Sequence, residues 1–187
     1  MSSAQNPIRT GLYEFIQKST GSQFVIPVYQ RNYTWTAGKE VKRYLDDLES
    51  VLNGEYENHF LGIIIYIDKA IDFSTKEFSV IDGQQRITTT FLILYAIRYI
   101  MVENGMDKEI KALDGQVLTN PFSNEKIKYK LKPLVSDDDV YQYIVKGKAD
   151  QVENKSSVIY KNFIYILNEI RKLNKKYPLN ELSLIHI

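Results

Sequence analysis

The 187-residue chain has no cysteine and almost no excess charge. The absence of cysteine excludes disulfides, thiol catalysis and cysteine-ligated metals, and it is compatible with the reducing cytoplasm, where we expect the protein. Lysine and arginine number 24 against 23 aspartate and glutamate residues, giving a formal net charge of +1. This balance provides no global attraction to nucleic acid or to a membrane, so contact with DNA would need a local patch or another part of the protein.

Long hydrophobic runs are also missing. No apolar stretch reaches the ~20 residues of a membrane helix, so we expect no membrane partner. The first ten residues are polar and lack the apolar core of a secretion signal. Hydrophobic residues nevertheless make up 44% of the chain, enough for one domain with a small helical annex.

Residues 78–90 carry the most informative pattern. An apolar run ends at Asp82 and Gly83, and a helix with polar first residues follows. The first amides of a helix have no partner within it and attract anions, and glycine allows close approach to the backbone. Arg86 adds a planar fork that suits a phosphate. The pattern indicates a phosphate or nucleotide site, although an ordinary turn in which Asp82 caps the helix explains the same residues.

The remaining pattern predicts an α/β protein. The continuous apolar run 60–67 is typical of a strand covered on both faces, and the alternation in 127–134 indicates an edge strand with outward lysines. Ser136 is expected to cap the helix that follows. Helices are predicted over 11–18, 36–52, 84–103 and 158–173, and strands over 24–29, 60–67, 77–81 and 127–134.

Two specific blocks resemble the N-terminal domain of GmrSD-type restriction proteins. Residues 82–86 are the Asp-Gly-Gln-Gln-Arg signature, and residues 24–35 contain an apolar residue, Pro, Tyr-Gln-Arg, an aromatic residue and Trp. Weaker blocks lie at 59–62 and 128–141. The resemblance implies a ParB/sulfiredoxin-like α/β fold, a small mixed sheet with flanking helices, in residues 1–105. A mostly helical extension would follow over 106–187, and its apolar last residues indicate truncation.

The resemblance further implies a nucleoside triphosphate (NTP) with Mg²⁺ at this turn. The backbone amides of the turn would hold the phosphates, with Arg86 as clamp and Arg31 as second cation. Asp82 would either cap the helix or reach the phosphates through Mg²⁺, and the two glutamines would orient a water or read a base edge. The implied catalytic residues are Asp82, Gln84, Gln85 and Arg86; the implied phosphate-binding residues are Gly83, Arg86, Thr88, Thr89, Arg31 and Gln30.

Each of these roles has a plainer alternative. Thr88 and Thr89 could bond back to their own helix, the glutamines could be solvated, and Arg31 could pair with acidic residues of the 36–52 helix. Tyr33 and Trp35 could stack on a base, but most of the 14 tyrosines must be core residues. His59 could face the site or be structural.

Two classes of function remain. The first is a domain that binds NTP, with or without hydrolysing it, and gates a nuclease in DNA restriction or phage defence, with an HNH-type nuclease domain downstream. The second is a non-catalytic module that grips DNA phosphate or another protein. The chain has only two histidines, His59 and His186, so it cannot itself assemble an HNH metal site.

Overall fold

The computed structural model describes residues 8–19, 21–56, 60–71, 75–121 and 127–179. The fold is mixed α/β, as predicted. The helices are α1 (Leu12–Lys18), α2 (Lys42–Leu52), α3 (Gln84–Glu103), α4 (Asp107–Leu113), α5 (Val135–Val145) and α6 (Val158–Leu173); the strands are β1 (Ser22–Val25), β2 (Ile65–Ala70), β3 (Lys76–Asp82) and β4 (Leu131–Lys132). Short π-helical turns, Ala37–Val41 and Asp114–Leu118, precede α2 and follow α4, and Ala149–Gln151 forms a 3₁₀ turn.

The sheet has the order β2-β3-β1-β4. β1 runs parallel to β3 and to β4, whereas β2 and β3 form an antiparallel pair. A small mixed sheet was the prediction, and it is confirmed; the finer likeness to the ParB/sulfiredoxin fold stays a prediction. The parallel pairing of β1 with β3 brings the ends of both strands, and the chain that follows each of them, to one edge of the sheet.

α3 is the central helix of the core. Its bounds, Gln84–Glu103, are those the sequence predicted, and most of its residues are buried on every side. Phe91 packs towards the sheet, where its ring centroid lies 6.2 Å from that of Phe24 in β1. α6 contacts α3 as well and buries its own apolar stripe. A helix enclosed in this way holds its first turn rigidly.

One hydrophobic core includes residues from both sides of position 105. β4, which comes late in the chain, completes the sheet beside β1. The division into residues 1–105 and 106–187 stays a prediction about folding units, although the two parts share an interior. None of the helices within the described residues combines the length and hydrophobicity needed to span a bilayer.

The structure corrects the prediction for residues 60–67. Strand β2 begins only at Ile65, and its side chains are mostly exposed; Ile63, Ile65 and Ile67 are 61%, 50% and 53% exposed. β2 lies at an edge of the sheet and pairs with β3 alone among the described strands. An antiparallel edge strand leaves one face to solvent, so the apolar run does not mark a doubly covered strand.

The lysines of residues 127–134 do not all point outward. Lys130 is 1% exposed, and its ammonium donates hydrogen bonds to the carbonyls of Ile16 (2.8 Å) and Gln116 (2.9 Å). Burial lowers the pKa of Lys130 to about 8. Ser136 does not cap α5, because the helix begins at Val135 and no side chain bonds to its first amides.

Candidate functional site

The predicted turn lies where β3 ends and α3 begins. Gly83 adopts the left-handed conformation (φ 91°), and no side chain caps the helix. Asp82 therefore does not act as the cap, which corrects one of the two sequence interpretations of this residue. Its side chain is exposed, and Oδ2 lies 3.6 Å from Nη2 of Arg86. The first amides of α3 are consequently free of any side-chain acceptor.

Gly83 does allow a close approach, but the approaching group belongs to the protein. A Cβ atom built at this position would lie 2.9 Å from Cγ1 of Ile64 and 3.3 Å from the carbonyl oxygen of Ile63. The chain entering β2 thus passes directly over the glycine. A ligand at the start of α3 must approach from another side of the first turn.

Arg86 is held by the same connection. Its Nη1 donates a hydrogen bond to the carbonyl of Leu61 at 2.9 Å. A Cβ on Gly62 (φ 97°) would lie only 1.8 Å from this nitrogen, so the guanidinium occupies the space that glycine leaves open. The weak sequence block at 59–62 therefore has a physical role: it receives Arg86. The side chain keeps 22% of its surface exposed and has further N–H groups to offer.

Gln84 and Gln85 are buried, at 7% and 5% exposure, and are not the solvated residues of the plainer alternative. Oε1 of Gln85 accepts the backbone N–H groups of Thr34 (2.8 Å) and Trp35 (3.1 Å), and its Nε2 donates to the carbonyl of Asn32 at 3.1 Å. Gln85 thereby holds the segment 31–35, which we call the arginine loop, against the first turn of α3. Gln84 adds a further bond to the same loop.

Residues 30 and 31 lie at the beginning of this contact. Nε2 of Gln30 donates to the carbonyl of Ile81 at 2.9 Å, which fastens the loop to the end of β3. The carbonyl of Arg31 accepts Nε2 of Gln84 at 3.0 Å. The Arg31 side chain is exposed and makes no ion pair among the described residues, whereas Asp46 pairs with Lys42 at 2.6 Å. Arg31 is therefore available to an anion.

The predicted aromatic residues of the site are packed against protein. Tyr33 is 6% exposed; its hydroxyl bonds to Thr89 at 2.7 Å, and burial raises its pKa to about 12. Trp35 is half-buried, with its ring centroid 5.8 Å from that of Tyr44. Tyr33 is a core residue and the half-buried Trp35 packs against the core, because the arginine loop carries both rings inward; stacking on a base stays a prediction. His59 lies outside the described residues.

The threonines of α3 divide between two roles. Thr89 donates to the carbonyl of Gln85 at 2.8 Å, the back-bonding alternative for a helical threonine. Thr88 is 3% exposed and lines a small pocket. The pocket lies between the arginine loop, the first turns of α3 and the start of α5. Its lining residues are Ile26, Arg31, Tyr33, Gln84, Gln85, Thr88, Pro133, Leu134 and Asp137.

Gln84, one of the lining residues, carries an orphaned acceptor. Oε1 of Gln84 is buried and has no hydrogen-bond donor. The volume that a water-sized sphere can enter is ≈ 10 Å³, about the room for a single water. Arg86 is not among the lining residues, so it does not share this pocket with Arg31.

Asp137 is a residue of the pocket that the sequence did not single out. It lies in the weak block 128–141, and its place at the start of a helix has an ordinary explanation, because acidic residues favour a helix N-terminus. Its Oδ2 accepts the backbone N–H of Tyr33 at 3.4 Å, and Ser136 donates to the side chain of Asn32 at 3.3 Å. The start of α5 thus docks on the arginine loop. Burial raises the pKa of Asp137 above its ordinary value.

No group of three or more acidic, histidine or cysteine side chains in the described ranges could hold a metal ion by itself. Asp82 lies beside Arg86, whose positive charge competes with a cation for the carboxylate. A Mg²⁺ ion at this turn would therefore need oxygen ligands from a bound phosphate and from water, which is how Mg²⁺ is often held.

Comparison with known proteins identifies the family. The profile described as "GmrSD restriction endonuclease, N-terminal domain" matches residues 12–187. The chain belongs to this family. The uncharacterized protein MJ0686 of Methanocaldococcus jannaschii is 23% identical over 155 residues. The matched region covers 70% of this GmrSD N-terminal domain and 25% of the relative, so the chain spans about a quarter of the length of that protein.

Proposed function

We propose that this GmrSD N-terminal domain binds an NTP at the first turn of α3 and so regulates a DNA-restriction or phage-defence protein. The observation that carries the proposal is the start of α3: a 20-residue helix that no side chain caps, with Arg86 in its first turn and Arg31 in the loop that Gln84 holds. Free amides and the helix dipole attract anions. The buried, donor-less oxygen of Gln84 beside that turn supports a site prepared for a ligand.

Each predicted site residue has a place in this proposal. Arg86 and Arg31 contact the phosphates, and Arg86 keeps its bond to Leu61 while it uses the remaining N–H groups. Gln85 and Gln30 are positioning residues, since their amides hold the backbone of the arginine loop and the end of β3. Mg²⁺ accompanies the nucleotide on its phosphate oxygens, with Asp82 within reach of the ion's water shell.

The parent protein is part of the proposal as well. The relative is about four times longer than the matched region, which leaves room for further domains in proteins of this kind. We propose that an HNH-type nuclease domain follows in the full-length protein and that the NTP state of this domain controls it. DNA would then be contacted by the downstream or partner domain, in keeping with the near-neutral charge here.

Calorimetry with each NTP and Mg²⁺ tests the binding site. Arg86→Ala removes a charge-assisted contact worth about 1.5–3 kcal/mol, so affinity should fall by roughly 10- to 150-fold. Arg43→Ala is the matched control, because Arg43 is an exposed arginine on α2. The control should bind as the wild type does. If the wild type binds no NTP, or Arg86→Ala binds equally well, the proposal is wrong.

A DNA-phosphate module is the second candidate, because the same anion site suits a DNA backbone. The two candidates differ in salt dependence and competition. A DNA module should bind duplex in the absence of NTP, with an affinity that falls steeply as salt rises. An NTP site should bind nucleotide selectively, and excess DNA should not displace it.

A further inference from the structure

One buried oxygen of Gln84, in the lining of the small pocket, has no hydrogen-bond donor. Nε2 of Gln84 donates to the carbonyl of Arg31, which fixes the orientation of the amide, since a flipped amide would place two acceptors together. Oε1 is thereby left without a donor while buried. A buried acceptor of this kind costs about 1–3 kcal/mol unless a donor reaches it.

A single water satisfies the pocket. The volume of ≈ 10 Å³ admits one molecule, and a buried water needs two to four polar partners. Gln84, Asp137 and Thr88 all line the pocket, so a water there would find an amide oxygen and a carboxylate as acceptors in its lining. Arg31 lines the pocket too, so a water held there would lie next to one of the two arginines that we assign to the phosphates.

We propose that this pocket holds the water that hydrolyses the NTP and that Asp137 is the general base. The inference rests on the proposed NTP site. Glutamine cannot take the proton, because an amide does not titrate. Asp137 is the carboxylate that lines the pocket, and the backbone N–H of Tyr33 orients it. Burial raises its pKa, which makes it a better proton acceptor than an exposed aspartate.

The proposed step balances without a further reactant. The water oxygen forms a bond to the terminal phosphorus, and the bond from that phosphorus to the bridging oxygen breaks. The nucleoside diphosphate leaves with the electron pair of that bond. One proton of the water passes to a carboxylate oxygen of Asp137 and then to solvent, so the products are the diphosphate and inorganic phosphate.

Phosphate release by the 187-residue chain tests the role of Asp137. Asp137→Asn should lower kcat by about 10²- to 10⁴-fold, the usual contribution of a general base, while the Kd for NTP changes less than about threefold. Asp139→Asn is the matched control: the same change on the same helix, at an exposed carboxylate. The control should keep kcat within about twofold.

The pH profile gives a second readout. Turnover of the wild type should fall on acidification as Asp137 becomes protonated, at a pH above that of an ordinary aspartate. Arg31 and Tyr33 from the arginine loop line the pocket together with Asp137, whereas Asp138 and Asp139 follow it on other faces of α5. Tyr33 stays neutral throughout this range, because its own pKa is about 12.

The outcomes separate the two proposals. A wild type that binds no NTP overturns both. A wild type that binds NTP but never hydrolyses it leaves the binding site standing and overturns the water pocket, and so does an Asp137→Asn variant with unchanged kcat. If Asp137→Asn does not fold, the pH dependence of kcat is measured for Asp137→Glu instead. A shift in the pH at which kcat falls on acidification supports Asp137 as the base, and an unchanged pH dependence contradicts it.

Discussion

Replacing Gln85 should destabilise the whole domain, because its side chain makes three of the hydrogen bonds that fasten the arginine loop to the central helix α3. Gln85→Ala removes three hydrogen bonds to the backbone of residues 32–35. At about 0.5–1.5 kcal/mol each, their loss should lower the free energy of unfolding by roughly 2–4 kcal/mol. For a chain of this size, each kcal/mol corresponds to about 2–4 °C, so Tm should fall by roughly 5–15 °C.

Gln85→Glu sharpens the test. A carboxylate keeps the acceptor for Thr34 and Trp35 but sets a negative oxygen against the carbonyl of Asn32. Burial and this carbonyl should raise the pKa of the introduced carboxyl above its unfolded value. A raised folded-state pKa favours the folded state at low pH, and the benefit is lost as pH rises. Gln85→Glu should therefore be less stable at pH 7 than at pH 5, relative to the wild type at each pH.

Urea denaturation followed by circular dichroism measures both effects. Gln151→Ala is the control, because Gln151 is exposed and lies in the 3₁₀ turn before α6. It should change the free energy of unfolding by less than about 0.5 kcal/mol. A Gln85→Ala variant as stable as this control would refute the assignment of the loop contacts.

Two further perturbations follow from the same structure. Gly62→Ala should expel the Arg86 guanidinium, since the new Cβ would lie 1.8 Å from Nη1, in a backbone with φ 97°. We expect the free energy of unfolding in urea to fall by about 1–3 kcal/mol and NTP binding to weaken. Gly115→Ala is the control and should change neither quantity, because the space around Gly115 is open. Lys130 should make stability rise with pH from about 8 to 9.5, because its folded pKa is about 8 and the unfolded chain binds the extra proton. Lys130→Met should flatten that slope in denaturation measured across the window, and an unchanged slope would contradict the buried location.

The sequence predicts those parts of the fold that depend on local patterns. α3 and α6 keep their predicted bounds. α6 follows from its apolar period, and α3 follows from a long apolar stretch with clear signals at both ends. The solvent exposure of β2 could not be predicted from its local sequence pattern. An apolar run specifies a strand, but only the sheet order decides whether helices cover it.

The candidate site shows the same division. The turn at Gly83 and the two arginines follow from short motifs. The environment of Gln85 does not, because its partners lie about fifty residues earlier in the chain, and no local pattern reports a hydrogen bond over that separation. Asp137 was missed for a similar reason. An acidic residue at the start of a helix has a sufficient local explanation, and only the docking of α5 on the arginine loop brings it to the pocket.

Trp35 gives the domain a built-in optical probe. It is the only tryptophan of the chain. Its backbone N–H bonds to Gln85 in the first turn of α3, and its carbonyl accepts Nδ2 of Asn162 in α6 at 2.6 Å. Any movement of the arginine loop on ligand binding would change the surroundings of the half-buried indole. Emission from this single fluorophore can thus follow ligand binding at the start of α3 without a label. The same signal should also respond if α6 loses its contact with residue 35.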